Sequence, residues 1–287
     1  MVLSVVLRTA YQKDRPVPLA TLNGIRLNYD VTGTGPLVVL VMGTGSPGRV
    51  WRTYQVPALV KSGFRVATFD NRGIAPSDES AHGMRVEDLV ADTAALIEHL
   101  GAPAHVVGTS LGARITQELA LARPELVRKA VMLATTGRPH PLPNTLSKGE
   151  QALAAEGVRL PAEYAAAIKA MLNLSPHTLE ADDQAQQWLD IFEYSASTAD
   201  PAPGVLAQMR IDRSSNRLAD YARITVPSLV VGFADDRMLP PIFGREVAEA
   251  IPGARFVVIE KCGHYGYLER PEEVNRTIID FLTGVNA

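Results

Sequence analysis

Short apolar runs separated by longer amphipathic stretches run along this chain, and their alternation predicts strand, helix, strand, helix. The pattern opens at Ala20–Asp30, where apolar and polar residues alternate and Asn23-Gly24 forms a strong hairpin turn. Leu37–Val41 is continuously apolar, as a strand buried on both faces is, and it ends in the glycine-rich stretch Met42-Gly-Thr-Gly-Ser-Pro-Gly48. Trp51–Leu59 is studded with apolar residues and is expected to be helical only in part, because Pro57 interrupts it. Phe64–Phe69 reads as the next buried strand, closed by Asp70-Asn71-Arg72-Gly73. Val86–Leu100 follows as a helix with Leu89, Thr93, Leu96, Ile97 and Leu100 on one face, and Gly101 ends it as a C-cap glycine. A β-branched run at 105–107 leads through Gly108-Thr109-Ser110-Leu111-Gly112 into a helix reaching Ala122, and Ala130–Ala134 is again a strand. Strands that alternate with helices in this way predict an α/β fold, a mostly parallel, doubly wound sheet with helices on both faces.

Between Gly137 and Ala222 the rhythm changes. No convincing strand occurs over about eighty residues, far more than one crossover connection needs, and the segment reads as several helices rich in Ala, Leu, Glu and Gln. Residues 138–221 are therefore expected to form a helical lid over the carboxyl edge of a sheet built from residues 1–137 and 222–287. The sheet pattern resumes at Ile224–Val231, followed by a helix near Pro241–Ile251, a strand at Phe256–Glu260 and a last helix from Pro271 to Leu282. Residues 1–17 show no period and are expected to be an extended arm.

Composition narrows the class. A chain of 287 residues with 46% hydrophobic and 21% charged residues suits one large globular domain, or one domain carrying an insertion. A net charge of -3 gives no reason to expect nucleic acid or an anionic membrane as partner. The single cysteine, Cys262, excludes an internal disulfide and a Cys-rich metal site, and it reads as a packing residue. The apolar run Met1–Leu7 is too short for a signal peptide or a membrane span. A soluble, cytoplasmic protein is expected.

The chemistry starts at Gly108-Thr109-Ser110-Leu111-Gly112. A Gly-x-Ser-x-Gly between a strand and a helix puts the serine at the tip of a tight turn, the nucleophile elbow. The Leu111 N–H, at the helix start, would face an oxyanion formed on a substrate attacked by Ser110. A serine needs a base, and the base a group to orient it, and open α/β sheets place such groups at the carboxyl ends of strands. Among six histidines, His82 and His140 lie in polar loops, His99 on a helix, His105 at the start of a strand and His177 in the helical segment. Only His264 follows a sheet strand in a loop. The strand at 224–231 leads to two acids, Asp235 and Asp236, giving the order serine, aspartate, histidine. No phosphate loop or metal-ligand cluster competes, so neither a metal nor a cofactor is expected. Arg72 reads as a turn-stabilising residue, and Trp51 as either core or pocket wall.

Taken together, residues from about 20 to 284 resemble the α/β-hydrolase fold, in its esterase, perhydrolase and C–C hydrolase branch. The resemblance is carried by Gly43-Thr44-Gly45, Asp70-Asn71-Arg72-Gly73, Gly108–Gly112, Asp236 four residues before Pro240, and Gly263-His264. It implies a triad of Ser110, His264 and Asp236, with the backbone N–H groups of Thr44 and Leu111 as oxyanion hole. Serine in the elbow, rather than aspartate, argues against haloalkane dehalogenase and epoxide hydrolase chemistry. Members commonly carry histidine before the oxyanion loop. Here Met42 stands there, so the loop's hydrogen bonds must be made otherwise. Trp188, Phe192 and Tyr194 lie where a lid would face Ser110 and are candidate pocket residues. The implied activity is hydrolysis of an ester, lactone or thioester of a small-molecule acyl substrate. Two alternatives are carbon–carbon bond cleavage, or a lyase or cyclase step, on the same residues, and a ligand-binding receptor of this fold.

Overall fold

Apolar runs that alternate in side-chain direction have to be covered on both sides, and the computed structural model, which describes residues 18–79, 83–198 and 202–285, shows how. The expected extended arm at 1–17 and His82 lie outside the described residues. The strands are β1 Leu19–Leu22, β2 Ile25–Thr32, β3 Leu37–Val41, β4 Arg65–Phe69, β5 Ala104–Thr109, β6 Val127–Leu133, β7 Ser228–Phe233 and β8 Arg255–Ile259. They form one sheet in the order β1-β2-β4-β3-β5-β6-β7-β8. The first hairpin is antiparallel and turns at Asn23-Gly24, both with positive φ, and β2 pairs antiparallel with β4. Every other pairing is parallel.

The helices are α1 Gln55–Lys61, α2 Val86–His99, α3 Leu111–Ala122, α4 Pro141–Ala155, α5 Ala162–Asn173, α6 Pro176–Leu179, α7 Asp182–Thr198, α8 Pro203–Met209, α9 Leu218–Tyr221, α10 Pro241–Ala250, α11 Gly266–Glu269 and α12 Pro271–Thr283. Alternate strand residues divide the core into two layers. Val39, Val41, Val106 and Met132 pack with Leu89, Ile97, Ile115 and Val247, from α2, α3 and α10. Val38, Leu40, Val107 and Leu133 pack on the other face with Trp51, Leu59, Val274 and Ile278, from the α1 region and α12. Trp51 is thus core, tilted against Tyr267 at 4.9 Å between ring centroids.

Three local expectations shift. Pro57 does not interrupt its helix but sits in the first turn of α1, where no intrahelical N–H bond is lost. Strand β7 begins at Ser228 rather than Ile224, because Pro227 cannot donate to a ladder, although its carbonyl accepts from Ala130 N–H at 2.9 Å. Strand β6 begins three residues early despite its charges. Lys129 reaches across to the last carbonyls of α12, Phe281 and Leu282, at 2.7 and 3.0 Å.

Between β6 and β7 the described residues hold only helices, α4 to α9. These touch loops that all leave carboxyl ends of strands. A Cβ on Gly45, after β3, would lie 3.2 Å from Val205 Cγ1, and one on Gly73, after β4, would lie 2.8 Å from Gly204 O. Asp235, after β7, meets Ser175, and Tyr265, after β8, donates its N–H to Asn173 O at 3.1 Å. No helix among the described residues is long and apolar enough to cross a membrane.

Candidate active site

Strand β5 is buried along its whole length between β3 and β6, so its carboxyl end opens at the middle of the sheet. Ser110 follows it with φ 55 and ψ -116, a backbone conformation that a non-glycine residue adopts at a cost of order 1–3 kcal/mol. The turn is held by Ser110 N–H to Leu133 O at 3.0 Å and by Arg114 N–H to Ser110 O at 3.1 Å. Strand and helix approach so closely that only glycine fits on either side. A Cβ on Gly108 would lie 2.1 Å from Gly112 O, and a Cβ on Gly112 would lie 2.1 Å from Val41 O.

Of the two aspartates after β7, Asp236 is the one on His264. Its Oδ2 accepts from His264 Nδ1 at 2.7 Å, and its Oδ1 accepts the N–H groups of Met238 and Leu239, each at 2.8 Å. Both side chains are nearly buried, with 3% exposure for Asp236 and 8% for His264. Since Nδ1 faces an acceptor-only carboxylate, the network assigns its proton there and leaves the Nε2 lone pair free to take a proton. Asp235 has other work. Its N–H bonds Cys262 O at 3.0 Å and its Oδ2 accepts the Ser175 hydroxyl at 2.5 Å.

The third component is the loop after β3. Gly43 lies against Ser110, since a Cβ there would stand 3.3 Å from Ser110 Cβ and from Thr109 O. Gly43–Ser46 forms a tight turn closed by Ser46 N–H to Gly43 O at 3.3 Å, with Gly45 at φ +71 in the third position, as a type II turn requires. Thr44 is the turn's second residue, and Leu111 opens α3, whose first N–H groups have no carbonyl partner within the helix. The Met42 side chain is fully buried among Val38, Leu40 and Trp51 and supplies no hydrogen bond to the loop. The loop is held instead by Asn71 Nδ2 on Met42 O (3.0 Å), Asp70 Oδ1 on Gly48 N–H (2.7 Å) and Gln208 Oε1 on Gly45 N–H (2.9 Å). Burial pushes the Asp70 carboxyl above the usual carboxylate range, against the hydrogen bonds from Asn28 and Gly48.

Trp188 and Phe192 lie in the core of the helical segment with Ala166, Ala170 and Leu174, and stack toward Tyr265, next to His264, at 6.4 and 6.2 Å. Tyr194, on the same helix, is 44% exposed. The structure thus brings Trp188 and Phe192, but not Tyr194, to the neighbour of His264. Arg72 forms a bidentate pair with Asp92, both bonds at 2.6 Å, and stabilises the turn after β4. Cys262 is fully buried, and burial pushes its thiol up, away from nucleophile chemistry. His105, at the opposite end of β5, is lowered to about 4 by burial and stays neutral.

Two residues went unread in the sequence. Gln208 is one, a polar side chain one helical turn beyond Gly204 that bridges two core loops. Glu269 is the other. Half-buried beneath the loop that carries His264, it accepts from Gly263 N–H (2.7 Å), Ser175 N–H (2.9 Å) and Thr178 Oγ1 (2.6 Å), and burial raises its carboxyl. Nothing in either residue's local pattern distinguishes it from a solvated polar position.

A family model described as the alpha/beta hydrolase family matches residues 38–277. A Mycobacterium tuberculosis protein provisionally named non-heme bromoperoxidase BpoC is 45% identical over 264 residues, covering 92% of this chain and 100% of that protein. The solved structure of Rv0554 from Mycobacterium tuberculosis superposes with a TM-score of 0.86 at 45% identity, covering 92% of this chain and 95% of that one. A 2-hydroxy-6-oxononadienedioate/2-hydroxy-6-oxononatrienedioate hydrolase from Burkholderia vietnamiensis is 29% identical over 288 residues, covering 90% of this chain and 91% of that protein. With an eight-stranded sheet, a serine elbow on its central strand and a family match across most of its length, the chain belongs to the alpha/beta hydrolase family.

Proposed function

We propose that the protein is a serine hydrolase that cleaves an ester, lactone or thioester of a small organic substrate through an acyl-enzyme. The observation that carries this reading is the buried 2.7 Å bond between His264 Nδ1 and Asp236 Oδ2, together with a serine held at positive φ at the carboxyl end of a central strand. With Asp236 fixing the tautomer, His264 Nε2 takes the Ser110 proton as Oγ attacks the substrate carbonyl. The oxyanion is received by the N–H groups of Thr44 and Leu111, which are backbone donors and need no reorientation during reaction. His264 then returns the proton to the leaving group, and water repeats the sequence to free the acid. Asp236 stabilises the transient imidazolium. Residues 138–221 act as a lid over the carboxyl edge and shape the pocket, and the pocket selects the substrate.

The test is Ser110→Ala. Turnover of short aryl esters and covalent labelling by a fluorophosphonate probe should both vanish, and their persistence would remove the serine from the mechanism. A second reading, hydrolysis of a carbon–carbon bond in a diketone, draws on the name carried by the Burkholderia relative. It keeps Ser110 as the residue through which turnover runs, so wild type assayed on a diketone and on an aryl ester separates the two readings, and Ser110→Ala should lose whichever turnover is found.

A further inference from the structure

We propose that Gln208, contributed by the helical segment, is a positioning residue for the oxyanion hole, holding the turn that presents the Thr44 N–H; this rests on the serine-hydrolase reading above. Gln208 is fully buried, and both ends of its amide are used. Its Oε1 accepts Gly45 N–H at 2.9 Å and its Nε2 donates to Arg72 O at 3.0 Å. The partners leave no ambiguity about which way the amide points, since Gly45 offers only a donor and Arg72 only a carbonyl.

Both partners belong to the core, one in the loop after β3 and the other in the loop after β4. The Arg72 end is rigid. Its guanidinium is clasped by Asp92 on α2, whose carboxylate also accepts Asn23 Nδ2 at 2.8 Å. Helix α8 lies backbone to backbone on this frame, because a Cβ on Gly204 would stand 2.0 Å from Gly73 O. Gln208, four residues on, shares that helix face. A fixed frame therefore reaches the Gly45 peptide through one side chain.

What it reaches matters because Gly43 lies against Ser110, and because Gly45 is the third residue of the turn from Gly43 to Ser46. A buried peptide N–H without an acceptor drives its turn toward another arrangement. Any such change moves the Thr44 N–H relative to Ser110, and oxyanion donors work only when they are aimed before the charge forms. With Met42 where a histidine is common in the resemblance noted above, the loop is held by Asn71 and Asp70 of the core and, at Gly45, by Gln208 of the helical segment. Charged groups bonded to Gln208 and its partner are Arg213, whose Nη2 donates to the Gln208 backbone carbonyl at 3.2 Å, and Arg72, whose guanidinium pairs with Asp92, with Arg114 near Arg213 and Asp88 near Arg72.

The experiment compares wild type, Gln208→Leu and Gln208→Glu, by aryl-ester kinetics and by the rate of fluorophosphonate labelling. Gln208→Leu should lower kcat and the labelling rate roughly 10- to 100-fold, somewhat below the loss of a whole oxyanion donor, with KM changed less than about threefold. Gln208→Glu carries the sharper signature. Its protonated carboxyl reproduces the amide, accepting from Gly45 and donating to Arg72 O. Once ionised it opposes the Arg72 carbonyl. Its kcat should therefore approach wild type at low pH and fall as pH rises, an alkaline limb that wild type lacks. A residue that only docked the helix would lower the folded fraction and leave the kcat of folded enzyme unchanged. The proposal is overturned by unchanged kcat in Gln208→Leu, or by a Gln208→Glu profile that parallels wild type at every pH. The second comparison decides the matter where Gln208→Leu does not fold. Wild type that is neither labelled nor dependent on Ser110 overturns the hydrolase reading itself, and the inference with it.

Discussion

Replacing Asp236 by asparagine isolates one atom of the site. The carboxylate accepts three hydrogen bonds, two on Oδ1 from Met238 and Leu239 and one on Oδ2 from His264. An asparagine has one oxygen to offer. Turning its NH2 toward the two backbone donors would strand both, at about 1–3 kcal/mol each, so the oxygen stays with the turn and the NH2 faces His264. The imidazole must then accept at Nδ1 and carry its proton on Nε2, where it cannot take the Ser110 proton. A wrong tautomer of this kind in a known serine-protease triad lowers kcat about 10⁴-fold, or about 5 kcal/mol of transition-state stabilisation. The same fall is expected here, measured as kcat on a short aryl ester. Because the turn keeps both bonds, Tm should stay within about 3 °C of wild type. Asp235→Asn is the control, since its amide oxygen can still accept the Ser175 hydroxyl. The reasoning is refuted by Asp236→Asn retaining kcat within about tenfold, or by Asp235→Asn losing as much.

Two further outcomes follow from packing and burial. Gly112→Ala places a methyl 2.1 Å from Val41 O, a backbone atom that cannot swing aside, and should cost at least about 3 kcal/mol, roughly 6–12 °C in Tm; an unchanged melting curve would contradict the close approach. Glu269→Gln leaves one of three donors facing an NH2 and should destabilise by about 1–3 kcal/mol at neutral pH. Burial raises Glu269 in the folded state, so the folded chain binds its proton more tightly than the unfolded chain. Its contribution to stability therefore grows as pH falls from the folded pKa to the ordinary glutamate value and is lost as pH rises through that interval. The difference in Tm between wild type and Glu269→Gln, followed across that interval, should widen on the acid side, because Asp70 and Glu150 shift both proteins alike. A pH-independent difference would refute it.

The sheet was legible because its strands are buried on both faces. Leu37–Val41 has no polar position to confuse the reading, and its bounds match the structure. Errors fell where one residue's tertiary role hid its local one. Arg128 and Lys129 look like a strand end, yet Lys129 is drawn into β6 by the carbonyls of α12, far away in sequence. Ile224 and Val226 are as buried as a strand would make them, but Pro227 keeps them out of the ladder. In the candidate site, Ser110 and His264 could be picked because each follows a strand with glycines close by. Two adjacent aspartates could not be separated by strand position, and the hydrogen bonds separate them. Gln208 and Glu269 were illegible for a different reason. Each is defined by partners on other elements, and a buried polar side chain in a helix has the same sequence pattern whether it meets water or a backbone.

Strands β6 and β7 are hydrogen-bonded neighbours, although residues 134–227 separate them. The polypeptide thus leaves the sheet and re-enters one position along, so the helical segment is an excursion that the strand register does not depend on. Lengthening such a connection costs little, about 0.6 kcal/mol per doubling for a flexible loop. Grafting a foreign segment between Gly137 and Ile211, which keeps the core residues Ile211, Tyr221, Ile224 and Val226, should therefore leave the sheet able to form. The graft would still arrive without an amide for Gly45, a hydroxyl for Asp235 or donors for Glu269. A chimera designed on pocket shape alone would fold and turn over poorly, and transplanting those three contacts along with the segment is the practical rule for re-engineering specificity on this scaffold.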